Sequence, residues 1–211
     1  MFSFSDSPVD VPSNLRGLLV DTWEWVGRPA TWWTGQERVA IARVARASRR
    51  GEESIDPDLP PAANDAAGTL ASTPAVTTRE WVDGIVEAIE LERYIELTGL
   101  TASVVAIDTI SRLLGSELEP LPDALPGEPT REPLPPSLNK GKAWVMMGRP
   151  PIPPTVLAAV PDTSRRINQL HDQLYMAGEQ MGDPDITLSD LHRTQIELVA
   201  ATTSLGNDCF F

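Results

Sequence analysis

A run of prolines in the middle of the chain limits the folds that this sequence can adopt. Seven of the 20 prolines fall between Glu119 and Pro136. Proline fixes the backbone φ angle and lacks an N–H donor, so this stretch cannot form a helix or an interior strand. We therefore predict an extended, polyproline-like crossover. It divides the sequence into an N-terminal helical half, residues 1–118, a Pro-rich crossover, residues 119–154, and a C-terminal helical segment, residues 155–211.

The composition excludes several classes of protein. The formal net charge of −13 opposes binding to nucleic acid and to anionic membrane surfaces. The single cysteine excludes an internal disulfide framework. No apolar run approaches the roughly 20 residues that span a bilayer, and the first residues lack the basic and apolar regions of a signal peptide. We therefore expect a cytoplasmic protein that binds neither nucleic acid nor membrane.

Capping signals and hydrophobic periodicity predict helices in the N-terminal half, at residues 13–25, 34–49, 77–98 and 101–114. Thr34 to Glu37 and Thr77 to Glu80 have the form of capping boxes, in which a hydroxyl and a carboxylate satisfy two backbone donors. Ser13 is predicted to cap the first helix, Gly99 to end the third, and Gly115 to follow the fourth as a left-handed cap. Residues 51–76, rich in Pro, Ala, Asp and Ser, are predicted to form a long surface connection. Arg43, Arg46, Arg49 and Arg50 are interpreted as a solvated helix face.

The C-terminal segment is also predicted to be helical. Its predicted helices are a short turn at residues 155–160, a helix that Asp162 caps and Gly182 breaks, and a helix over residues 191–205 that Ser189 or Asp190 caps. No segment shows the period-two alternation of a strand, so the predicted class is all-α. Because helices 81–98, 101–114 and 191–205 have the strongest apolar faces, we expect them to share one core.

The last residues of the sequence are typical of a reactive cysteine. Gly206 to Asp208 supply a helix stop followed by a new N-cap, so Cys209 is predicted to open a further helix. Free N–H groups and the positive end of a helix dipole stabilise a thiolate at such a position. The sequence stops two residues later, and we expect that this helix has no residues from which to form.

Two short segments resemble the carboxymuconolactone decarboxylase and AhpD-like alkylhydroperoxidase superfamily. They are Gln195-Ile-Glu-Leu-Val-Ala200 and Asn207-Asp-Cys-Phe-Phe211. In the peroxidase branch a glutamate precedes a C-x-x-C motif, and Glu197 stands twelve residues before Cys209, as in that family. Residues 95–110 and 122–129 are similar to an actinobacterial group of these proteins. The resemblance covers roughly residues 20–211 and implies an AhpD-like helical bundle with long Pro-rich connections.

The resemblance also implies an activity. Such proteins are thiol peroxidases, which reduce a small hydroperoxide with a thiol reductant, need no cofactor or metal, and form homo-oligomers, here a dimer or trimer. Glu197 would be the base or the head of a proton relay, and Cys209 the first, resolving cysteine. The sequence has neither the second cysteine, three residues after Cys209, nor the histidine four residues further on. We therefore predict a truncated chain with weak activity or none.

Other interpretations remain open. The chain could be an incomplete piece of a thiol peroxidase, from a truncated gene, an incomplete assembly or an in-frame UGA codon for selenocysteine. It could instead be a catalytically dead paralogue that serves as an oligomeric binding module, or a decarboxylase-type enzyme that acts on a small ring lactone. Outside a catalytic role, Glu197 would be a surface helix residue and Cys209 a small buried hydrophobe. His171 and His192 are interpreted as partly exposed structural residues.

Overall fold

The computed structural model describes residues 2–141 and 143–207, and its secondary structure is mostly helical. Within these residues the α-helices are α1 (Ser13–Gly27), α2 (Gly35–Ser48), α3 (Pro61–Ser72), α4 (Arg79–Ile89), α5 (Leu91–Leu113), α6 (Pro161–Leu174) and α7 (Arg193–Gly206). Short 3₁₀ helices cover Pro74–Val76, Pro153–Thr155 and Gly178–Gly182. The strands form two small antiparallel pairs, β1 (Asn139–Lys140) with β2 (Met146–Met147), and β3 (Thr187–Leu188) with β4 (Leu191–His192). The predicted all-α class is confirmed.

The chain divides into two compact units, Met1–Leu170 and His171–Phe211. The boundary falls inside α6. The first unit contains α1 to α5 and the Pro-rich segment, and the second contains the β3–β4 hairpin and α7. In the part of the chain that the structure describes, no helix has both the length and the apolar character needed to cross a membrane.

The first unit has a hydrophobic core built mainly by α2, α3 and α5, with α1 packed against α2 and α5. Its largest fully buried apolar side chains include Leu19, Trp23, Trp33, Ile41, Leu97, Leu100 and Ile107. Each such side chain contributes about 1.5–3 kcal/mol when it leaves water, so this core accounts for the main stabilisation of the unit.

The prediction of a long connection at residues 51–76 is wrong, because α3 lies there. Four alanines of α3, namely Ala63, Ala66, Ala67 and Ala71, are buried, and α3 packs against α2 and α5. Pro61 stands in the first turn, where a missing N–H removes no helical hydrogen bond. Alanine is the best helix former but has little apolar surface, so this helix gave only a weak periodic signal.

The two helices predicted at residues 77–98 and 101–114 are divided elsewhere. Thr78 caps α4, one residue later than predicted, and accepts a hydrogen bond from the Trp81 N–H at 3.2 Å. The break falls at Glu90, which has a φ of +75°, and Gly99 lies inside α5. A Cβ at Gly99 would collide with the methyl group of Thr163 on α6. Gly99 therefore permits close helix packing and does not end a helix.

Of three other predicted helix caps, one is confirmed and two differ. Thr34 caps α2 in the predicted capping box with Glu37. Ser13, in contrast, is the first residue of α1 and caps nothing by its side chain. Asp162 lies in the first turn of α6, where its Oδ2 accepts a hydrogen bond from Trp25 Nε1 at 2.7 Å. The helix that it was predicted to begin ends at Leu174, well before Gly182.

The Pro-rich segment is extended, as predicted. Backbone hydrogen bonds fasten it to the connection between α1 and α2: the Leu125 N–H donates to the Gly27 carbonyl at 2.8 Å, and the Thr130 N–H donates to the Ala30 carbonyl at 3.0 Å. Gly27 has no room for a side chain here, because a Cβ would meet the carbonyl of Asp123.

The interpretation of the arginine group as a solvated face is wrong for Arg46. Its Nε and Nη2 donate to the two carboxylate oxygens of Asp108 at 2.8 and 2.7 Å, and both side chains are buried. The guanidinium also lies over the ring of Trp23, 5.2 Å from its centroid. Arg49 and Arg50 are exposed, as predicted. Asp108 is 62 residues from Arg46, so no local pattern indicates the pair.

A second ion pair, between Arg38 and Glu96, is completely buried. Arg38 Nη2 donates to the Trp25 carbonyl at 2.9 Å, and the Trp32 N–H donates to Glu96 Oε2 at 2.7 Å. The Arg38 guanidinium lies 4.1 Å from the centroid of the Trp25 ring. Burial raises the pKa of Glu96 and lowers the pKa of Arg38, and in each case the charge of the partner opposes that shift.

Candidate functional site

A tight hairpin positions the helix that carries Glu197. Ser189 and Asp190 join β3 to β4 with φ angles of 48° and 65°, the left-handed values of a two-residue hairpin turn. The prediction that one of them caps the following helix is therefore wrong. His192 caps α7 instead: its Nδ1 accepts from the Thr194 N–H at 3.3 Å.

Arg193 fastens the start of α7 to the segment that precedes the hairpin. Its Nη1 donates to the carbonyls of Met181 and Asp183 at 3.2 and 3.4 Å, and lies 3.2 Å from the Met176 sulfur. Its Nε donates to Glu197 Oε1 at 2.6 Å. Only 15% of the Arg193 side chain is exposed. The backbone carbonyls therefore fix the guanidinium, which directs its charge at Glu197.

The carboxylate of Glu197 is held through one of its oxygens. Oε1 accepts from Tyr175 Oη at 2.7 Å as well as from Arg193 Nε. Among the described residues, no side chain or backbone group donates to Oε2. The hydrogen bond from Tyr175, followed by the one from Arg193, lowers the pKa of Glu197 below 4.5. Glu197 is 44% exposed, so it is an ionised carboxylate with one oxygen that the described residues leave available to accept a proton.

An open groove of about 1180 Å³ lies beside Glu197, within the second unit. Its apolar lining includes Leu174, Leu188, Leu191, Ile196, Val199 and Leu205. Tyr175 and Glu197 add polar atoms to this lining. A concave apolar surface with a few polar groups is the usual form of a site for a small organic molecule.

The prediction that α7 shares the core of α4 and α5 is wrong. No residue of α7 is buried, and the buried core cluster of the described residues ends at Leu170. Leu198, Val199 and Leu205 are 69%, 63% and 79% exposed. Apolar side chains on one exposed helix face are typical of an interaction surface.

Cys209, the other predicted site residue, lies outside the described residues. The two histidines are partly exposed structural residues, as predicted. The His171 ring packs edge to face against Tyr175 with centroids 5.3 Å apart, and its Nδ1 is 3.6 Å from Asp172. His192 is the α7 cap described above.

Sequence analysis missed two residues of this site. Arg193 stands four residues before Glu197, and this spacing places both on one helix face, so the pair could have been read from the sequence. Tyr175 is 22 residues from Glu197. Only the turn back through the hairpin brings it to the carboxylate, and no local pattern indicates that contact.

No protein-family model matches the chain, and no curated protein or solved structure matches it. Among the described residues, no group of His, Cys, Asp or Glu side chains could hold a metal ion. The resemblance to the AhpD-like superfamily therefore stays a prediction that rests on the residues quoted above.

Proposed function

We propose that the chain is a weakly active AhpD-like thiol peroxidase in which Cys209, the resolving cysteine by resemblance, itself attacks the hydroperoxide and Glu197 accepts its proton. The observation that supports this best is the setting of Glu197: its carboxylate is held by Tyr175 and Arg193 beside an apolar groove, and no described residue donates to its second oxygen. It stands on the helix that leads directly to the one cysteine of the sequence. Such a carboxylate can accept the thiol proton, and its lowered pKa makes it a weaker base than an ordinary glutamate, which agrees with weak activity.

The proposed step transfers one oxygen atom. Glu197 accepts the proton of the Cys209 thiol, and the thiolate sulfur attacks the terminal oxygen of the hydroperoxide. The S–O bond forms as the O–O bond breaks; sulfur is oxidised to a sulfenic acid and the peroxide is reduced. The leaving alkoxide takes up the proton and departs as an alcohol. Two equivalents of an external thiol then return the sulfenic acid to the thiol, with release of water and a disulfide.

The helix geometry sets a condition on this step. Glu197 and Gly206 are nine residues apart on α7, which is about 13 Å along the helix axis. Direct proton transfer between Glu197 and Cys209 therefore requires that the chain reverse direction after Gly206. The groove would accommodate the organic part of the hydroperoxide, because its lining near Glu197 is mostly aliphatic.

We also propose that the chain forms a homo-oligomer through the exposed side of α7 that carries Leu198, which is not part of the groove lining. After Glu197 the helix carries no charged residue up to Asn207. Two copies of this face could therefore meet without like-charge repulsion, despite the net charge of −13. Sedimentation should show a dimer or trimer at tens of micromolar, on the order of ordinary weak-interface affinities. Leu198→Glu should shift it to monomer, and a wild-type chain that stays monomeric would contradict the proposal.

We propose the cytoplasm as its location, since reductants there keep a lone thiol reduced.

The experiment that tests the activity uses the fact that the sequence holds one cysteine. The reduced protein is mixed with an organic hydroperoxide, the sulfenic acid is trapped with dimedone, and the adduct on Cys209 is measured by mass spectrometry over time. Glu197→Gln should slow adduct formation at least about tenfold, since general base catalysis contributes roughly 10²–10⁴-fold. Glu179→Gln, which removes an exposed carboxylate from the same unit, should leave the rate unchanged. Equal rates in wild type and Glu197→Gln would overturn the role of Glu197, and an unoxidised Cys209 would overturn the peroxidase assignment.

A further inference from the structure

The phenol of Tyr175 is fixed relative to Glu197. Tyr175 directly follows α6, and its N–H continues the helical pattern by donating to the His171 carbonyl at 2.9 Å. Its ring packs edge to face on the His171 ring, with centroids 5.3 Å apart. The phenol is therefore held from one side by the ring of His171 and from the other by its 2.7 Å hydrogen bond to Glu197.

Both hydrogen bonds to Glu197 end on the same carboxylate oxygen. Both Tyr175 Oη and Arg193 Nε donate to Oε1, and Oε2 accepts nothing from the described residues. A charge-assisted hydrogen bond is short and strong, so two of them on one oxygen fix the orientation of the carboxylate and concentrate its free lone pairs on the other. The arrangement determines which oxygen can accept a proton.

Arg193 and Tyr175 differ in what else they do. Arg193 also holds the carbonyls of Met181 and Asp183, so its removal would disturb the fold of the second unit. The hydroxyl of Tyr175 has Glu197 as its one hydrogen-bond partner among the described residues. Its role is therefore confined to the carboxylate.

We propose that Tyr175 is a positioning residue for Glu197, which it orients so that Oε2 can accept a proton. The use of Oε2 as a base rests on the proposed peroxidase function. The contact between Tyr175 and Glu197 does not depend on that function. The surroundings of the phenol agree with this role: burial, followed by the hydrogen bond to Glu197, raises the pKa of Tyr175 above 10.0. The phenol therefore keeps the proton that it donates throughout the range in which a thiol reacts.

The test removes this single hydroxyl. The pKa of Glu197 is measured from the pH dependence of its side-chain carboxyl ¹³C shift in the wild type, in Tyr175→Phe and in Tyr94→Phe. Tyr94 is the only other tyrosine, and it lies in the first unit, so Tyr94→Phe is a matched control. Tyr175→Phe should raise the pKa of Glu197, and Tyr94→Phe should leave it unchanged. An unchanged pKa of Glu197 in Tyr175→Phe would overturn the proposal.

The reactivity of Cys209 gives a second readout that a purely structural role would not move. Dimedone trapping in Tyr175→Phe should be slower by about tenfold or more at neutral pH, the size expected for losing one hydrogen bond that orients a charged group. Since the rate falls as Glu197 becomes protonated, the acid limb of its pH profile should move to higher pH. Arg193, His171 and Asp172 are the other charged or titratable groups around this contact, and none of them is changed.

Two further outcomes separate this proposal from the proposed function. If Tyr175→Phe raises the pKa of Glu197 but Glu197→Gln leaves the sulfenylation rate unchanged, the positioning role holds and the catalytic role of Glu197 is wrong. If Tyr175→Phe does not fold, ultraviolet titration of Tyr175 in the Tyr94→Phe background replaces it. Adding Glu197→Gln should then lower the pKa of Tyr175, and an unchanged value would overturn the proposal.

Discussion

Arg38 and Glu96 form an ion pair in which neither side chain reaches solvent. The pair joins α2 to α5 across 58 residues of sequence, and the carbonyl of Trp25 and the N–H of Trp32 add one hydrogen bond to each member. Arg38 Nε is buried without a partner among the described residues. Removing both charges from water is costly, and the attraction between them offsets that cost only while both are present. Each charge is therefore tolerated in the core only while its partner is present, and the loss of one residue destabilises the fold more than the loss of both.

Removing one member of this pair should be far more damaging than removing both. Glu96→Leu leaves the Arg38 charge buried without a partner, so we expect the free energy of unfolding to fall by about 3–5 kcal/mol. The double variant Arg38→Met with Glu96→Leu should recover most of this loss. Urea denaturation followed by circular dichroism measures both. A double variant as unstable as the single one would mean that packing, and not the unpaired charge, causes the loss.

An exposed ion pair provides the control for this experiment. Arg50 and Glu52 are 45% and 54% exposed and 2.8 Å apart. Glu52→Gln should change the free energy of unfolding by less than about 1 kcal/mol, because solvent screens the pair.

Two helical glycines should respond to alanine in opposite directions. Gly99→Ala places a methyl group against Thr163, so we expect a loss of about 1–3 kcal/mol from overpacking. Gly84 lies in α4 with nothing within 4 Å of an added Cβ, so Gly84→Ala should stabilise by up to about 1 kcal/mol through helix propensity. Combining Gly99→Ala with Thr163→Ser, which removes the opposing methyl, should restore part of the loss. Equal effects at both glycines in thermal unfolding would argue against the close contact of α5 and α6.

The second unit should lose stability in acid through Glu197. The folded pKa of Glu197 lies below its ordinary value of 4.5. A lowered pKa means that this stabilisation is fully present above pH 4.5 and is lost as the pH falls through the folded value. Amide hydrogen exchange in α7, measured across this range, should therefore accelerate in the wild type beyond its intrinsic pH dependence. Glu197→Gln should remove this contribution and Glu179→Gln should retain it; the opposite pattern would contradict the assigned contacts.

Turnover should depend on a second thiol. In the 211-residue chain the sulfenic acid of Cys209 can react only with an external thiol or oxidise further, so we expect slow, self-limiting turnover with a hydroperoxide and a dithiol. A chain extended by a cysteine directly after Phe211, and by a histidine four residues later, should turn over faster. The same extension with serine in place of the added cysteine is the control. An unextended chain as fast as the extended one, with a rate unaffected by Cys209→Ser, would show that Cys209 is not the reacting group.

The helices that the sequence predicts well are those with local chemical signals. Thr34 and Glu37 form the predicted capping box of α2, and Gly115, with a φ of +66°, follows α5 as the predicted left-handed cap. Both signals act within a few residues of the helix end. α3 was not predicted because alanines form most of its buried face. Alanine lets helices pack closely but has too little apolar surface to give a strong hydrophobic periodicity.

Contacts between distant segments account for most of the other differences. Arg46 was predicted to be solvated because its partner, Asp108, lies on another helix. Gly99 was predicted to end a helix because its contact with Thr163, which is distant in sequence, is not visible in the local pattern. In the candidate site, Glu197 could be selected from the sequence, whereas Tyr175 reaches it only through the left-handed turn at Ser189 and Asp190. A contact between residues that are distant in sequence leaves no periodic pattern in the sequence around either residue.

The division into two units has a spectroscopic consequence. All six tryptophans precede residue 145, so they belong to the unit Met1–Leu170. Several of them face arginine guanidinium groups, as Trp25 does with Arg38 and Trp33 with Arg93. Indole emission therefore reports the unfolding of this unit. A dye on Cys209, the one thiol, would report on the other unit, so two fluorescence signals from a single chain could separate the unfolding of the two units.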